Sequence, residues 1–387
     1  MQLRHLTLLA AAKAVTAQTL PSLADVLAAQ SESLSSLTTW LESQELVYNL
    51  LANAEDVTLL APSNNALQQL NNSPLANELL SNTEFLTAFL SYHVLNGTYY
   101  ASNLTSAPLQ VIPTLLDLAG YGNITGGQKL IAQSSDGGVS FISGGGSKST
   151  VQSANYNYTG GTIHIIDNIL TIPANVSTTA LAANLTALVG AVQQAGLVET
   201  LDTTQDLTIF APTNEAFASI GNLVSGLTVE QLTGILGYHV IPGAVVYSTD
   251  VPNGASVKSL QGTELNFRVE DGTVWVNSAK VIAADVLVAN GVVHVIDGVL
   301  NPDNAAAQPD PAAESPAPAF SGASSVGGVP FTSGVTPPPA ATAAPTSGTT
   351  APPPDATEPV TAGQGKVAAA VGAAALFGGA AVLMNQL

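Results

Sequence analysis

The chain has 387 residues, enough for two or three domains with a core in each. Its 27 Asp and Glu outweigh 8 Lys and Arg, and a formal charge of −19 argues against nucleic acid and against electrostatic docking on anionic lipid. Cysteine is absent, which excludes disulfides, thiolate metal sites and cysteine nucleophiles. Only 9% of residues are charged, so Ser, Thr, Asn and Gln must supply most of the polar surface, as on a glycosylated exterior.

In chain order, Met1–Ala17 reads as a secretory signal peptide: Arg4 and His5, an apolar Leu6–Ala12, then small residues before Gln18. Leu34, Leu37, Leu41, Leu46 and Leu50 recur near three and four apart, which predicts helix. Val57-Thr58-Leu59-Leu60 predicts a short buried strand ended by Ala61-Pro62, because proline lacks a donor N–H. Ser63 is placed to cap a helix over Asn64–Leu70. Phe85–His93 has helical spacing, and Tyr92-His93-Val94 closes that helix and enters a strand. Short β-runs and turns follow as far as Gly161–Leu170.

The same order then repeats. VTLLAPSNNAL at Val57–Leu67 returns as LTIFAPTNEAF at Leu207–Phe217. SYHVLNG at Ser91–Gly97 returns as GYHVIPG at Gly237–Gly243, and GTIHIIDNIL at Gly161–Leu170 as GVVHVIDGVL at Gly291–Leu300. The copies lie roughly 130 to 150 residues apart, the size of an independently folding domain and too long for a solenoid repeat. In the second copy Thr213 caps a helix over Asn214–Ile220 and Thr228–His239 is helical. Strands are expected at Val257–Leu260, Glu264–Val269, Thr273–Val276, Lys280–Ile282 and Gly291–Leu300. Each copy is therefore α+β, with helices early and a mostly antiparallel sheet late. The first copy is longer between its Tyr-His and last blocks, and the Gly/Ser-rich Ser134–Thr150 is the expected loop insertion. The short junction Pro173–Thr179 leaves room for a limited hinge at most.

Beyond the repeats, residues 303–361 are rich in Pro, Ala, Thr, Ser and Gly, and are expected to form a disordered, O-glycosylated stalk. Residues 362–387 resemble a GPI signal: small residues, a short polar spacer, then the uncharged Val367–Met384. Ser347, Asp355 and Gly363 are the candidate attachment sites. Sequons stand at Asn71, Asn96, Asn103, Asn123, Asn157, Asn175 and Asn184, all in the first copy, the junction or the start of the second.

The repeated blocks resemble the two conserved segments and the Tyr-His motif of the fasciclin domain family, over about Leu20–Ile172 and Val176–Pro302. The ends resemble those of secreted, GPI-anchored fungal fasciclin-like proteins. The resemblance implies a signal peptide at 1–17, tandem domains at 18–173 and 176–302, and a role in adhesion or wall contact. Its expected partners are a cell-surface or matrix protein or glycan, another copy of the chain included, with the membrane reached through a lipid anchor. In some animal members the Tyr-His segment is linked to integrin binding. No Arg-Gly-Asp tripeptide occurs. A reading from another class is a structural or trafficking factor tethered to an internal membrane such as the vacuole.

His93, His164, His239 and His294 all fall in matched blocks, with Asp167 and Asp297 three residues beyond His164 and His294. Together these could suggest a metal site or a hydrolase. No GxSxG elbow or P-loop is present, so the expectation is no enzyme and no cofactor, with His164, Asp167, His294 and Asp297 structural. Tyr92, His93, Tyr238 and His239 remain open between ligand contact and internal packing.

Overall fold

A computed structural model describes residues 19–73, 75–135, 138–251, 253–309 and 318–336. The expected signal peptide, the Val367–Met384 tail and the attachment candidates Ser347, Asp355 and Gly363 lie outside those residues. Among the described residues no helix is long and apolar enough to cross a membrane.

The first copy opens with helices α1 (Leu23–Ala29), α2 (Ser31–Glu42) and α3 (Glu45–Ala52). Strand β1 (Val57–Pro62) leads to α4 (Asn64–Asn71), α5 (Leu75–Ser81) and α6 (Thr83–Tyr92). Then come β2 (Val94–Asn96), the short α7 (Ala101–Leu104), β3 (Leu109–Pro113), β4 (Lys129–Ser135), β5 (Gly138–Ile142), β6 (Lys148–Tyr158) and β7 (Gly161–Ile166). The second copy runs α8 (Val176–Ala182), α9 (Thr186–Gln194), α10 (Val198–Thr203), β8 (Leu207–Pro212), α11 (Asn214–Ser219), α12 (Gly221–Val224) and α13 (Val229–Tyr238). It ends with β9 (Val240–Ile241), β10 (Ser256–Lys258), β11 (Glu264–Glu270), β12 (Thr273–Val276), β13 (Ala279–Val288) and β14 (Gly291–Ile296). Both expected caps form. Ser63 Oγ accepts from Ala66 N–H at 3.3 Å and Thr213 Oγ1 from Ala216 N–H at 3.0 Å.

Each copy holds one seven-stranded sheet, in the orders β2-β1-β7-β6-β5-β4-β3 and β10-β11-β12-β13-β14-β8-β9. The first and last sequence blocks are neighbours in it. β1 pairs parallel with β7 from Val57↔Gly161 to Pro62↔Ile166, and β8 with β14 in the matching register. All other pairs are antiparallel. β1 and β8 are buried at every position because both faces are covered, the usual reason for an unbroken apolar strand. On β1, Leu59 and Ala61 pack with Leu34, Leu37, Leu41 and Phe89 from the helices. Leu60 faces the other way, towards Tyr92, Phe141 and Ile166 inside the curled sheet. The parallel pair also demands close approach: a Cβ at Gly161 or Gly291 would overlap the carbonyl oxygen of Val57 or Leu207.

Three features depart from the sequence expectations. The strand begun at Lys280–Ile282 continues to Val288 through a bulge, with Asp285 in the left-handed region at φ 59°. Its counterpart Asn155 on β6 sits at φ 65°. Asp and Asn tolerate that conformation better than other non-glycine residues, and the bulge breaks the alternation that marks a strand.

The first copy's extra length is not a loop at Ser134–Thr150. Val139, Phe141 and Ile142 there are buried on β5, and Lys148 onward is β6, because glycines supply turns while the apolar residues pair. The longer connection is between β3 and β4, at 114–128, against 259–263 in the second copy. That loop reaches the second domain. Asn123 N–H donates to the Ala289 carbonyl at 2.7 Å, and Thr125 donates to the Asp206 carboxylate through N–H at 2.8 Å and hydroxyl at 2.6 Å. Gln128 Nε2 donates to the Val288 carbonyl at 2.9 Å. Leu109, Ile131 and Ile142 meet Tyr247, Leu287 and Val292 in an apolar cluster shared by the domains.

Third, within the range expected as stalk, residues 318–336 lie against the second domain, with Phe320, Ala323, Phe331 and Val335 packed on its core.

Candidate functional site

The blocks that suggested chemistry turn inward. α6 ends at Tyr92, and His93 caps it with φ −82° and ψ 1°. That geometry drops the imidazole back over the last turn, where Nδ1–H donates to the Phe89 carbonyl at 2.7 Å. Nε2 accepts from Leu170 N–H at 3.0 Å, so the two partners fix the neutral tautomer. In the second copy His239 Nδ1–H donates to Ile235 O at 2.8 Å and Nε2 accepts from Leu300 N–H at 2.9 Å. The Tyr-His block thus holds the end of the last block through the backbone. Burial drives both imidazoles from 6.5 to about 4, against the raising effect of the carbonyl bonds.

Tyr92 is fully buried and donates its hydroxyl to the Lys129 carbonyl at 3.1 Å. Tyr238 matches it, donating to Glu264 O at 2.8 Å and accepting from Asn277 Nδ2 at 2.7 Å. Burial raises both phenols. With the tyrosines at 0% and the histidines at 2% exposure, the pairs present no surface to a ligand in this conformation.

His164 and His294 use the bulges. His164 Nδ1 accepts from Asn155 N–H at 3.1 Å and Nε2–H donates to Tyr99 O at 2.7 Å. His294 Nδ1 accepts from Asp285 N–H at 3.2 Å and Nε2–H donates to Val246 O at 2.8 Å. Burial lowers the His164 pKa. The Asp285 carboxylate lies 4.0 Å from His294 Nδ1, but that nitrogen is occupied as an acceptor. Asp285 accepts instead from the N–H and hydroxyl of Ser248. Asp167 accepts from Thr150 N–H at 2.6 Å and Asp297 from Lys280 N–H at 2.8 Å, each stapling the last strand to its neighbour. Burial raises the Asp297 carboxyl. A histidine whose two ring nitrogens are both spent on backbone groups has no lone pair or proton to offer a substrate or metal without breaking a bond. Among the described residues no three His, Asp or Glu side chains gather as a metal site.

The sequon asparagines spread over the surface. Asn71, Asn96, Asn103 and Asn184 are exposed, while Asn123, Asn157 and Asn175 are half-buried. Asn175 caps α8 through Oδ1, which leaves its Nδ2 unused. Asn123 spends its Nδ2 on the Thr203 carbonyl across the domain boundary at 3.0 Å. Asn123 and Asn175 line the cleft between the domains, about 620 Å³, together with Tyr121, Asp202 and Asn290.

Sequence reasoning missed the asparagine shared by APSNNA and APTNEA. Asn64 Oδ1 accepts from Ser36 N–H at 2.8 Å and Asn214 Oδ1 from Ala187 N–H at 2.9 Å, which ties α4 to α2 and α11 to α9. Its recurrence at the same place in both copies was the signal.

The chain is similar to several known proteins. A fasciclin-like arabinogalactan protein of Arthroderma benhamiae is 35% identical over 265 residues, 68% of this chain and 62% of its own length. The fasciclin-like arabinogalactan protein elcF of Phaeosphaeria nodorum is 30% identical over 267 residues, 68% of this chain and 83% of its own. The chain thus spans a little under two thirds of the first of these. A solved FAS1 domain pair from the insect cell adhesion molecule Fasciclin I aligns with 66% of this chain and 92% of its own at 20% identity, with a TM-score of 0.32. Residues 32–173 and 183–302 match the fasciclin domain, and the chain belongs to that family.

Proposed function

We propose that this is a non-enzymatic adhesion or wall-associated protein, held on the outer face of the plasma membrane or in the wall by a C-terminal lipid anchor. The observation that carries this reading is the inward turn of its histidines. Every imidazole in the repeated blocks is committed to backbone groups, so the outer surface is left to do the work. That surface is acidic and poor in charge, and its sequons concentrate on the first domain and junction. The interdomain contacts favour presentation of the two domains as one unit. A cell-surface or matrix protein or a glycan is the proposed partner. The fungal relatives are named fasciclin-like arabinogalactan proteins, which supports a glycosylated exterior.

Treatment of intact cells with phosphatidylinositol-specific phospholipase C tests the anchor. Release of the protein without residues of the apolar tail is expected; retention with the tail present by mass spectrometry contradicts it. Beads coated with the full ectodomain are expected to adhere to wall or matrix preparations, and adhesion no better than to uncoated beads would refute the role.

A further inference from the structure

Residues 318–336 cross the outer face of the second domain formed by α9, α11 and α12. The Ala319 carbonyl accepts from Asn301 Nδ2 at 3.1 Å and Asn304 Nδ2 at 3.0 Å, which fixes where the segment lands. Asn222 then grips it three times. Its Nδ2 donates to Gly322 O at 3.0 Å, its Oδ1 accepts from Ser324 N–H at 2.7 Å, and its N–H donates to Ser324 O at 3.4 Å. Val326 N–H donates to Ala218 O at 3.2 Å. Phe331 meets Phe217 edge to face, with centroids 5.9 Å apart. The floor beneath is cut to fit: a Cβ at Gly190 would overlap the Phe331 carbonyl, and one at Gly221 the Val326 side chain.

Among the described residues, the same face of the first copy carries no strap. Matching Asn64 to Asn214 through their shared hydrogen bonds sets Thr39 against Gly190, Gln68 against Ala218 and Asn71 against Gly221. All three strap-bearing positions are smaller in the second copy. In the first, the face is an open cleft of about 570 Å³ lined by Ser36, Asn64, Asn65, Gln68 and Asn71.

We propose that the α9–α11–α12 face of the second domain is a peptide-binding groove, and that residues 318–336 of the same chain are its resident ligand. The groove selects a turn-rich, glycine-spaced peptide with aromatic and β-branched anchors, here Phe320, Val326, Phe331 and Val335. The folded unit then ends near residue 336, not near 302. In a protein tethered by a C-terminal lipid anchor, unlatching would lengthen the tether by up to about 60 Å at roughly 3.3 Å per residue. That consequence rests on the anchor; the docking does not.

The test uses the full chain and amide hydrogen exchange. The variant Val326→Ser/Phe331→Ser removes two anchors without touching the domain core. The Ser324 and Val326 amides are expected to exchange at least about tenfold more slowly in the unmodified chain than in the variant. A synthetic peptide of residues 318–336 is expected to bind the variant saturably and not the unmodified chain. Adding Gly221→Val, or Asn222→Ala should that valine disturb folding, is expected to abolish peptide binding. Equal strap exchange in both chains, no saturable binding to the variant, or binding undiminished by the added substitution overturns the proposal. Retention of the protein after phospholipase treatment would sink only the anchor.

Discussion

The two copies agree inside and differ outside. Tyr92, His93, His164 and Asp167 make the same classes of bond as Tyr238, His239, His294 and Asp297, mostly to equivalent backbone groups. On the face over α4 and α11, the first copy carries a sequon at Asn71 beside an open cleft, and the second carries a strap over glycine. The shared interior is therefore what the fold requires, and the exterior is where the copies diverge.

The interior half of this comparison can be broken by substitution. His93→Ala and His239→Ala each leave two buried backbone groups without partners and open a cavity. Each is expected to cost about 3–5 kcal/mol, read by urea unfolding. Similar losses in both copies are predicted; a loss in one copy alone would mean that the motifs are not equivalent.

Acid provides the next largest effect. The folded pKa of His93 and His239 is depressed to about 4, so between pH 6.5 and 4 the unfolded chain binds more protons than the folded chain. Stability is expected to fall as pH drops through that window, by about 3 kcal/mol per histidine once complete. The raised carboxyl of Asp297 acts in the opposite sense, favouring the folded state on acidification in a window that lies above its ordinary 3.8. Unfolding midpoints measured at pH 7.5, 5.5 and 4.5 check the sign, and a midpoint unchanged across that range would contradict neutral buried histidines.

Asp206→Ala is a smaller perturbation that sharpens the boundary between copies. It removes the acceptor of both Thr125 bonds and is expected to cost about 1–3 kcal/mol. The loss should appear as separation of a single unfolding transition into two, measured by calorimetry. Asn71→Gln is expected to change stability by less than about 0.5 kcal/mol, since the residue is exposed, while removing one glycan from the intact mass.

Much of this was legible in the sequence because it was written twice. The block order predicted two domains, and the apolar spacing predicted the helices and most strands. The parallel pairing of β1 with β7 was not legible, since side-chain alternation is the same whichever way a partner runs. The bulge at Asp285 hid because Ala-Ala-Asp reads as the end of a strand. The interdomain loop at 114–128 hid because its contacts, such as Asn123 to Ala289, join residues far apart in sequence. The strap was missed for a compositional reason: Phe320, Val326, Phe331 and Val335 are too few to form a core alone, yet enough to complete one already formed. Burial of the Tyr-His pairs could not be read from one sequence, because a tyrosine and a histidine at a helix end suit a binding surface as well as an interior.

The contrast between the copies meets its most direct test at two matched amides. Asn72 N–H donates within its own turn, to Gln69 O, whereas Asn222 N–H donates to Ser324 of the strap. Residue-resolved hydrogen exchange on the full chain and on Val326→Ser/Phe331→Ser compares them directly. The Asn222 amide is expected to lose protection in the variant while Asn72 is unchanged. Unaltered exchange at Asn222, or an equal change at both, would contradict it.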